Sequence, residues 1–180
     1  MTLLLLLLLA CTGEGPSGPD DSACVPDGAE SDIDPACDCY EPEVKVGGGA
    51  DHFEEVADGA AVTMVHGPQG GWHVLGSARI SFTVPLVRIH YEIEVPGRAV
   101  RVSDNNLSVM IVEDSACSGY YPGMYGYLDV SAIAEGEADT PPEVLAGETI
   151  VLRMTIEDAE GRTATDDLSA VAALDPMDTD

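Results

Sequence analysis

The stretch "LVRIHYEIEV", residues 86–95, alternates apolar and polar side chains almost without a break. On an extended chain Val87, Ile89, Tyr91, Ile93 and Val95 share one face, and Arg88, His90, Glu92 and Glu94 share the other. Successive side chains of a β-strand point to opposite faces, so period two sorts these residues cleanly where helical spacing would scatter them. His90 therefore reads as a solvent-facing strand residue. "TIVLRMTIED" follows the same rule, with Ile150, Leu152, Met154 and Ile156 set against Thr149, Val151, Arg153, Thr155 and Glu157. So does "WHVLGSARISFTV", where Trp72, Val74, Gly76, Ala78, Ile80 and Phe82 fall inward and His73, Ser77, Arg79, Ser81 and Thr83 outward, with Leu75 the exception.

Adding "EVKVG", "AAVTMVHG", "AVRVS", "LSVMIVE", "YGYLDVSAIA" and "TATDDLSAVAAL" brings the count to about eight or nine short strands at hairpin spacing, with no long helical stripe. Such spacing predicts a sandwich or a barrel, and a sandwich is the better fit. The closing pair, "GETIVLRMTIEDAEGRTATDD", resembles the last hairpin of immunoglobulin-like domains in extracellular bacterial proteins: a strand, a polar glycine turn, then a threonine-rich strand. The expected fold class is thus an all-β, immunoglobulin-like antiparallel β-sandwich over residues 43–175, followed by an acidic tail at 176–180. "VGGGAD" at 46–51 reads as a bend or bulge, because no helix follows to make a phosphate loop of it.

The segment before the domain has a different texture. Residues 12–42 are rich in Gly, Pro, Ser and acid, hold no basic residue, and cannot bury enough apolar surface to offset their ordering entropy. At the start, the leucine run Leu3–Leu9 is too short for a membrane span, which needs about 20 residues, and suits the core of a secretory signal. "LLAC", Leu8 to Cys11, resembles the lipobox of bacterial lipoproteins. That resemblance implies a signal peptide over 1–10, lipid modification of Cys11, a tether over 11–42, and an outer-membrane or cell-surface location. Buried acyl chains would then hold the protein to the membrane.

Export implies an oxidising compartment, which makes Cys24, Cys37, Cys39 and Cys117 disulfide candidates. Four cysteines allow three pairings; the favoured ones join Cys117 to Cys37 or Cys39 and staple the tether to the domain. "CDC" lacks the second close ligand pair of a structural zinc site.

Charge excludes other classes. The formal net charge of -26, from 33 acidic against 7 basic residues, disfavours nucleic acid and anionic membrane surfaces as partners. No nucleophile elbow, Walker loop or dinucleotide fingerprint is present, the sole lysine is Lys45, and no constellation with named catalytic roles can be assembled, so no enzymatic activity and no cofactor are expected. "SDNN", 103–106, and "EDS", 113–115, read as loop ends that offer oxygen ligands without calcium-loop spacing.

Two candidate surfaces remain. If the strands flanking "GPQGGW" pair across that turn, His66 and His73 are expected opposite one another on the same face, their imidazoles close enough to share a copper or zinc ion, with Met64 as a further ligand. The surrounding segment, "VKVGGGADHFEEV" followed by "VADGAAVTMVHGPQGGWHV", is similar to the N-terminal part of uncharacterised bacterial lipoproteins, a family with no assigned activity. The second surface is "SGYYPGMYGY", 118–127, read as a Gly-Pro loop whose Tyr120, Tyr121, Tyr125 and Tyr127 would meet a protein or glycan partner. The resulting expectation is a lipid-anchored, non-catalytic binding or structural module of the cell envelope, with metal binding as the alternative.

Overall fold

The computed structural model describes residues 37, 40–68, 70–136 and 139–176. Among the described residues nine strands form: β1 (Glu43–Gly47), β2 (Ala61–His66), β3 (Trp72–Ser81), β4 (Leu86–Val95), β5 (Val100–Met110), β6 (Val112–Ser115), β7 (Ser118–Tyr127), β8 (Thr149–Asp158) and β9 (Thr163–Leu174). A single helical turn, α1 (Pro141–Leu145), precedes β8. Thr140 caps it by donating its backbone N–H to Glu143 Oε2 at 2.7 Å, and Leu145 is fully buried.

Hydrogen bonding runs in the order β5-β4-β8-β9-β2-β3-β7-β6, with β1 paired to β3. This path folds back on itself into two layers. β5, β4, β8 and β9 make one, and β3, β7 and β6 with β1 make the other, while β2 joins them by pairing with β9 on one side and β3 on the other. With β3, β7 and β6 as strands B, E and D, and β4, β8 and β9 as C, F and G, the order is that of the immunoglobulin sandwich, with β5 as an added strand beside C. The all-β sandwich expected from the alternation is the fold observed. One pair departs from the antiparallel rule: β2 runs parallel to β9, Ala61 opposite Val171 through Met64 opposite Leu174.

The core follows the period-two faces. Val87, Ile89, Tyr91, Ile93 and Val95 of β4 meet Ile150, Leu152, Met154 and Ile156 of β8, all buried. Tyr91 is the largest of these, and its ring reaches across to the opposite layer at two glycines. A Cβ at Gly76 would lie 2.8 Å from Tyr91 Cζ, and one at Gly126 would lie 2.9 Å from Tyr91 Cε1 and 2.5 Å from Ile93 Cδ1. The missing side chains of β3 and β7 are therefore the space that the tyrosine fills.

Several local expectations change. "AVRVS" and "LSVMIVE" are not two strands: Val100–Met110 is one continuous strand, so the "SDNN" residues sit in mid-strand, and "EDS" lies in β6; neither is a loop end. "SGYYPGMYGY" is strand β7, not a loop, and the strand expected over "YGYLDVSAIA" stops at Tyr127. Its Pro122 is accommodated at a bulge, where Gly76 and Ala78 of β3 oppose Met124 and Tyr121, so that β7 carries one extra residue. Gly123 there adopts φ 65° and donates its N–H to Gly49 O at 3.1 Å. Strand β3 ends at Ser81, and Phe82, expected on its inward face, turns away with φ 60°.

Candidate functional site

The hairpin between β2 and β3 decides the metal reading of His66 and His73. The two strands do pair, but over a five-residue loop in which Gly67 N donates to Gly71 O at 2.9 Å. The register then places His66 opposite Trp72, His73 opposite Val65, and Met64 opposite Val74. A one-residue offset in register moves a side chain to the other face of a sheet, so the two imidazoles do not meet. His66 packs its ring against Trp72 at 5.0 Å, and Met64 is buried in the core. The strands pair as expected, but the expected opposition of His66 and His73 does not occur, so His66, His73 and Met64 are not brought together to share a copper or zinc ion.

His73 is on the outer face of β3, as its alternation requires, yet it is only 6% exposed. Tyr127 lies opposite it and Tyr125 opposite Leu75. Both rings lean on the imidazole edge-on, at 4.7 Å for Tyr125 and 6.2 Å for Tyr127. Burial pushes the His73 pKa below its usual value, because the charged ring would lose its hydration.

The four tyrosines of β7 do not form one patch. Tyr121 packs against the core, Tyr120 lies opposite Arg79 and Val112, and the bulge separates both from Tyr125 and Tyr127. These last two stack on each other at 5.7 Å with an interplanar angle of 14° and remain 50% and 60% exposed. Beside them runs an open groove of about 320 Å³ lined by Tyr127, Arg101, Ser103, Asp104, Asn105 and Asp129. Its floor is tied down: Asn105 Nδ2 donates to Tyr125 O at 2.9 Å, and Asp129 N donates to Val102 O at 2.7 Å. Hydrogen bonds from Ser131 hold the Asp129 carboxyl below its usual pKa.

A charged ladder crosses the outer face of the other layer. Asp104 of β5, Glu92 of β4, Arg153 of β8 and Asp167 of β9 lie directly opposite one another in turn. Arg153 grips Asp167 with two hydrogen bonds of 2.7 and 2.8 Å, which hold the Asp167 carboxyl below the usual range. Arg101 places one guanidinium nitrogen 2.6 Å from Glu92 Oε1 and another 2.6 Å from Asp104 Oδ2. His90 Nε2 is 2.8 Å from Asp104 Oδ1, and His90 Nδ1 is 3.7 Å from Glu92 Oε2. Hydrogen bonds from His90 first, then Arg101, lower the Asp104 pKa. Among the described residues, His90, Glu92 and Asp104 form the group whose ligand atoms come within 4.8 Å of one another in a set that could hold a metal. The alternation of β4 correctly puts His90 and Glu92 outward; what it does not contain is the identity of the strands alongside, which bury Glu92 to 5% exposure.

Of the cysteines, Cys37 and Cys117 form a disulfide with Cα atoms 5.4 Å apart, one of the two favoured pairings. It anchors a small second core with Val84, against which Phe82 packs. Phe82 is held in its turned conformation by its N–H donating to Cys117 O at 2.8 Å, by Arg162 Nη2 donating to its carbonyl at 3.0 Å, and by the Tyr40 ring stacked at 4.7 Å. The end of the expected tether is thus fastened to the sandwich. Cys11, Cys24 and Cys39, with the signal peptide and most of the tether, lie outside the described residues. Among the described residues no helix is long and apolar enough to cross a membrane.

The fold and surface define an immunoglobulin-like β-sandwich carrying an exposed tyrosine pair beside a polar groove. No family model matches the chain, and no curated protein matches it. Among solved structures, the CooA pilin subunit from enterotoxigenic Escherichia coli is similar at a TM-score of 0.38 and 9% identity, covering 76% of this chain and 100% of that one. A likeness at that level carries no functional argument.

Proposed function

We propose that this protein is an exported, lipid-anchored, non-catalytic binding module of the bacterial cell envelope, and that it holds a neutral glycan against Tyr127 and Tyr125. The observation that carries the binding role is the stacked, half-exposed tyrosine pair bordering a groove whose floor is hydrogen-bonded in place. A rigid aromatic ring offers contact area at small entropic cost, while nearby carboxylate, guanidinium and hydroxyl groups supply directional contacts to sugar hydroxyls. The net charge of -26 disfavours polyanionic ligands. Export is supported by the Cys37–Cys117 disulfide, a bond that persists in oxidising compartments. Lipid anchoring rests on the "LLAC" resemblance at Leu8 to Cys11.

The test is a screen of the purified protein on an array of neutral and anionic oligosaccharides, repeated with the Tyr125→Ala/Tyr127→Ala variant. Saturable binding of a neutral glycan that the double variant loses supports the reading; no glycan binding, or binding indifferent to both tyrosines, refutes it. In cells, Cys11→Ser should move the protein from the membrane to the soluble fraction, and persistence on the membrane would remove the lipid anchor from the proposal.

A further inference from the structure

The ladder on the outer face of β5, β4, β8 and β9 has an imbalance that its own ion pairs leave in place. Glu92, Glu94, Asp104 and Asp167 face only two guanidinium groups, those of Arg101 and Arg153, so the cluster is short of two positive charges. Glu92 is the costly member. Its carboxylate side chain is 7% exposed, and Oε1, though ion-paired with Arg101, receives no hydrogen bond. Burying a carboxylate is unfavourable unless opposite charge and hydrogen bonds compensate for lost water. His90 lies on the other side of the two carboxylates, with one ring nitrogen towards Asp104 Oδ1 and the other towards Glu92 Oε2. A neutral imidazole carries one N–H, so it can donate to only one of the two carboxylates.

Arg101 divides the carboxylate oxygens in a way that matters. It takes Glu92 Oε1 and Asp104 Oδ2, one oxygen from each group, and leaves Glu92 Oε2 and Asp104 Oδ1 turned towards His90. We propose that His90, Glu92 and Asp104 bind a divalent transition-metal ion of the zinc class, with Arg101 as the positioning residue that fixes both carboxylates. Each residue offers one ligand atom, a single ring nitrogen from His90 and one oxygen from each carboxylate, and these atoms lie within 4.8 Å of one another; three protein ligands is the number found at zinc sites that keep an open position for water. The adjoining groove, lined by Asp104 and Arg101, gives water access to that position. The ion also supplies the two missing charges. An imidazole ligand disfavours calcium, which takes six to eight oxygens. Outer contacts such as those of Arg101 orient metal ligands, and their loss typically weakens binding by about 10–100-fold.

The site shares the groove residues Arg101 and Asp104 with the glycan reading but needs neither Tyr125 and Tyr127 nor His66 and His73, and it is tested on the full chain stripped with EDTA and exchanged into EDTA-free buffer. Calorimetric titration with Zn²⁺ should show a saturable site, with Ca²⁺ giving none. His90→Ala and Asp104→Asn should each weaken zinc binding by at least about tenfold, and Arg101→Gln by about tenfold, since ligands and their outer partners both count. His66→Ala combined with His73→Gln should leave the titration unchanged. Asp104 is half exposed, so Asp104→Asn carries the test even where His90→Ala lowers stability. An absence of saturable zinc binding overturns the proposal, as does zinc binding unaltered by Asp104→Asn or calcium binding in place of zinc.

Discussion

Replacing Cys37 and Cys117 together by serine should destabilise this sandwich about as much as a large single core truncation. The disulfide joins residues 80 apart in sequence, so the loop it closes in the unfolded chain spans β1 to β6. Chain-entropy reasoning, with a loop term growing as 1.5R ln n, assigns such a closure about 4.5 kcal/mol at 25 °C. That is a large part of the about 5–15 kcal/mol by which domains are stable. Serine is close to cysteine in size, so packing around Val84 and Phe82 changes little at first, and the loss falls mainly on the unfolded state. The assay is urea unfolding followed by the fluorescence of Trp72, the sole tryptophan, with Cys11, Cys24 and Cys39 kept in both proteins. With a slope of about 2 kcal/mol/M, the midpoint should fall by about 2 M. A loss below about 1 kcal/mol, at unchanged slope, would refute the reasoning, because it would mean that the staple does not restrict the unfolded chain.

Gly126→Ala should cost about 1–3 kcal/mol or more, because its methyl would lie 2.5 Å from Ile93 Cδ1 and 2.9 Å from Tyr91 Cε1 inside a packed core; thermal melting unchanged from the parent would contradict that contact. Stability should also fall as pH drops below about 6.5, since burial lowers the His73 pKa and the unfolded chain then binds the proton that the folded one resists. The stabilising contribution is complete above the unfolded value and lost as pH falls through the folded one; His73→Gln should flatten the dependence of Tm on pH between 7 and 5, and an unchanged slope would assign it to other groups.

Much of the fold was legible because alternation is a local property. Tyr91 and Ile93 face inward, and His90 and Glu92 outward, whatever strands lie beside them, since the pleat alone sets the two faces. Compartment and count make the cysteines disulfide candidates but leave three pairings open, and the structure selects Cys37 as the partner of Cys117. Strand β7 was hidden because Pro122 and the glycines around it carry turn chemistry. Its strand character depends on partners elsewhere: a bulge beside β3 that absorbs Pro122, and the Tyr91 ring that requires Gly126.

For the candidate sites the division is sharper. The sequence determined which side chains could reach solvent on β3 and β4, and on that basis His73, His90 and Glu92 were outward-facing, whereas Tyr125 and Tyr127 fall in a stretch that reads as a loop. Only the tertiary structure decided which of them meet. One residue of register in the β2–β3 hairpin separated His66 from His73, and the arrival of β7 covered His73 with two tyrosines. The placement of β5 on one side of β4 and β8 on the other assembled His90, Glu92, Asp104 and Arg101 from two strands. The physical reason is the same in each case: a strand's own pattern fixes the direction of its side chains, whereas their neighbours come from hydrogen-bond partners distant in sequence.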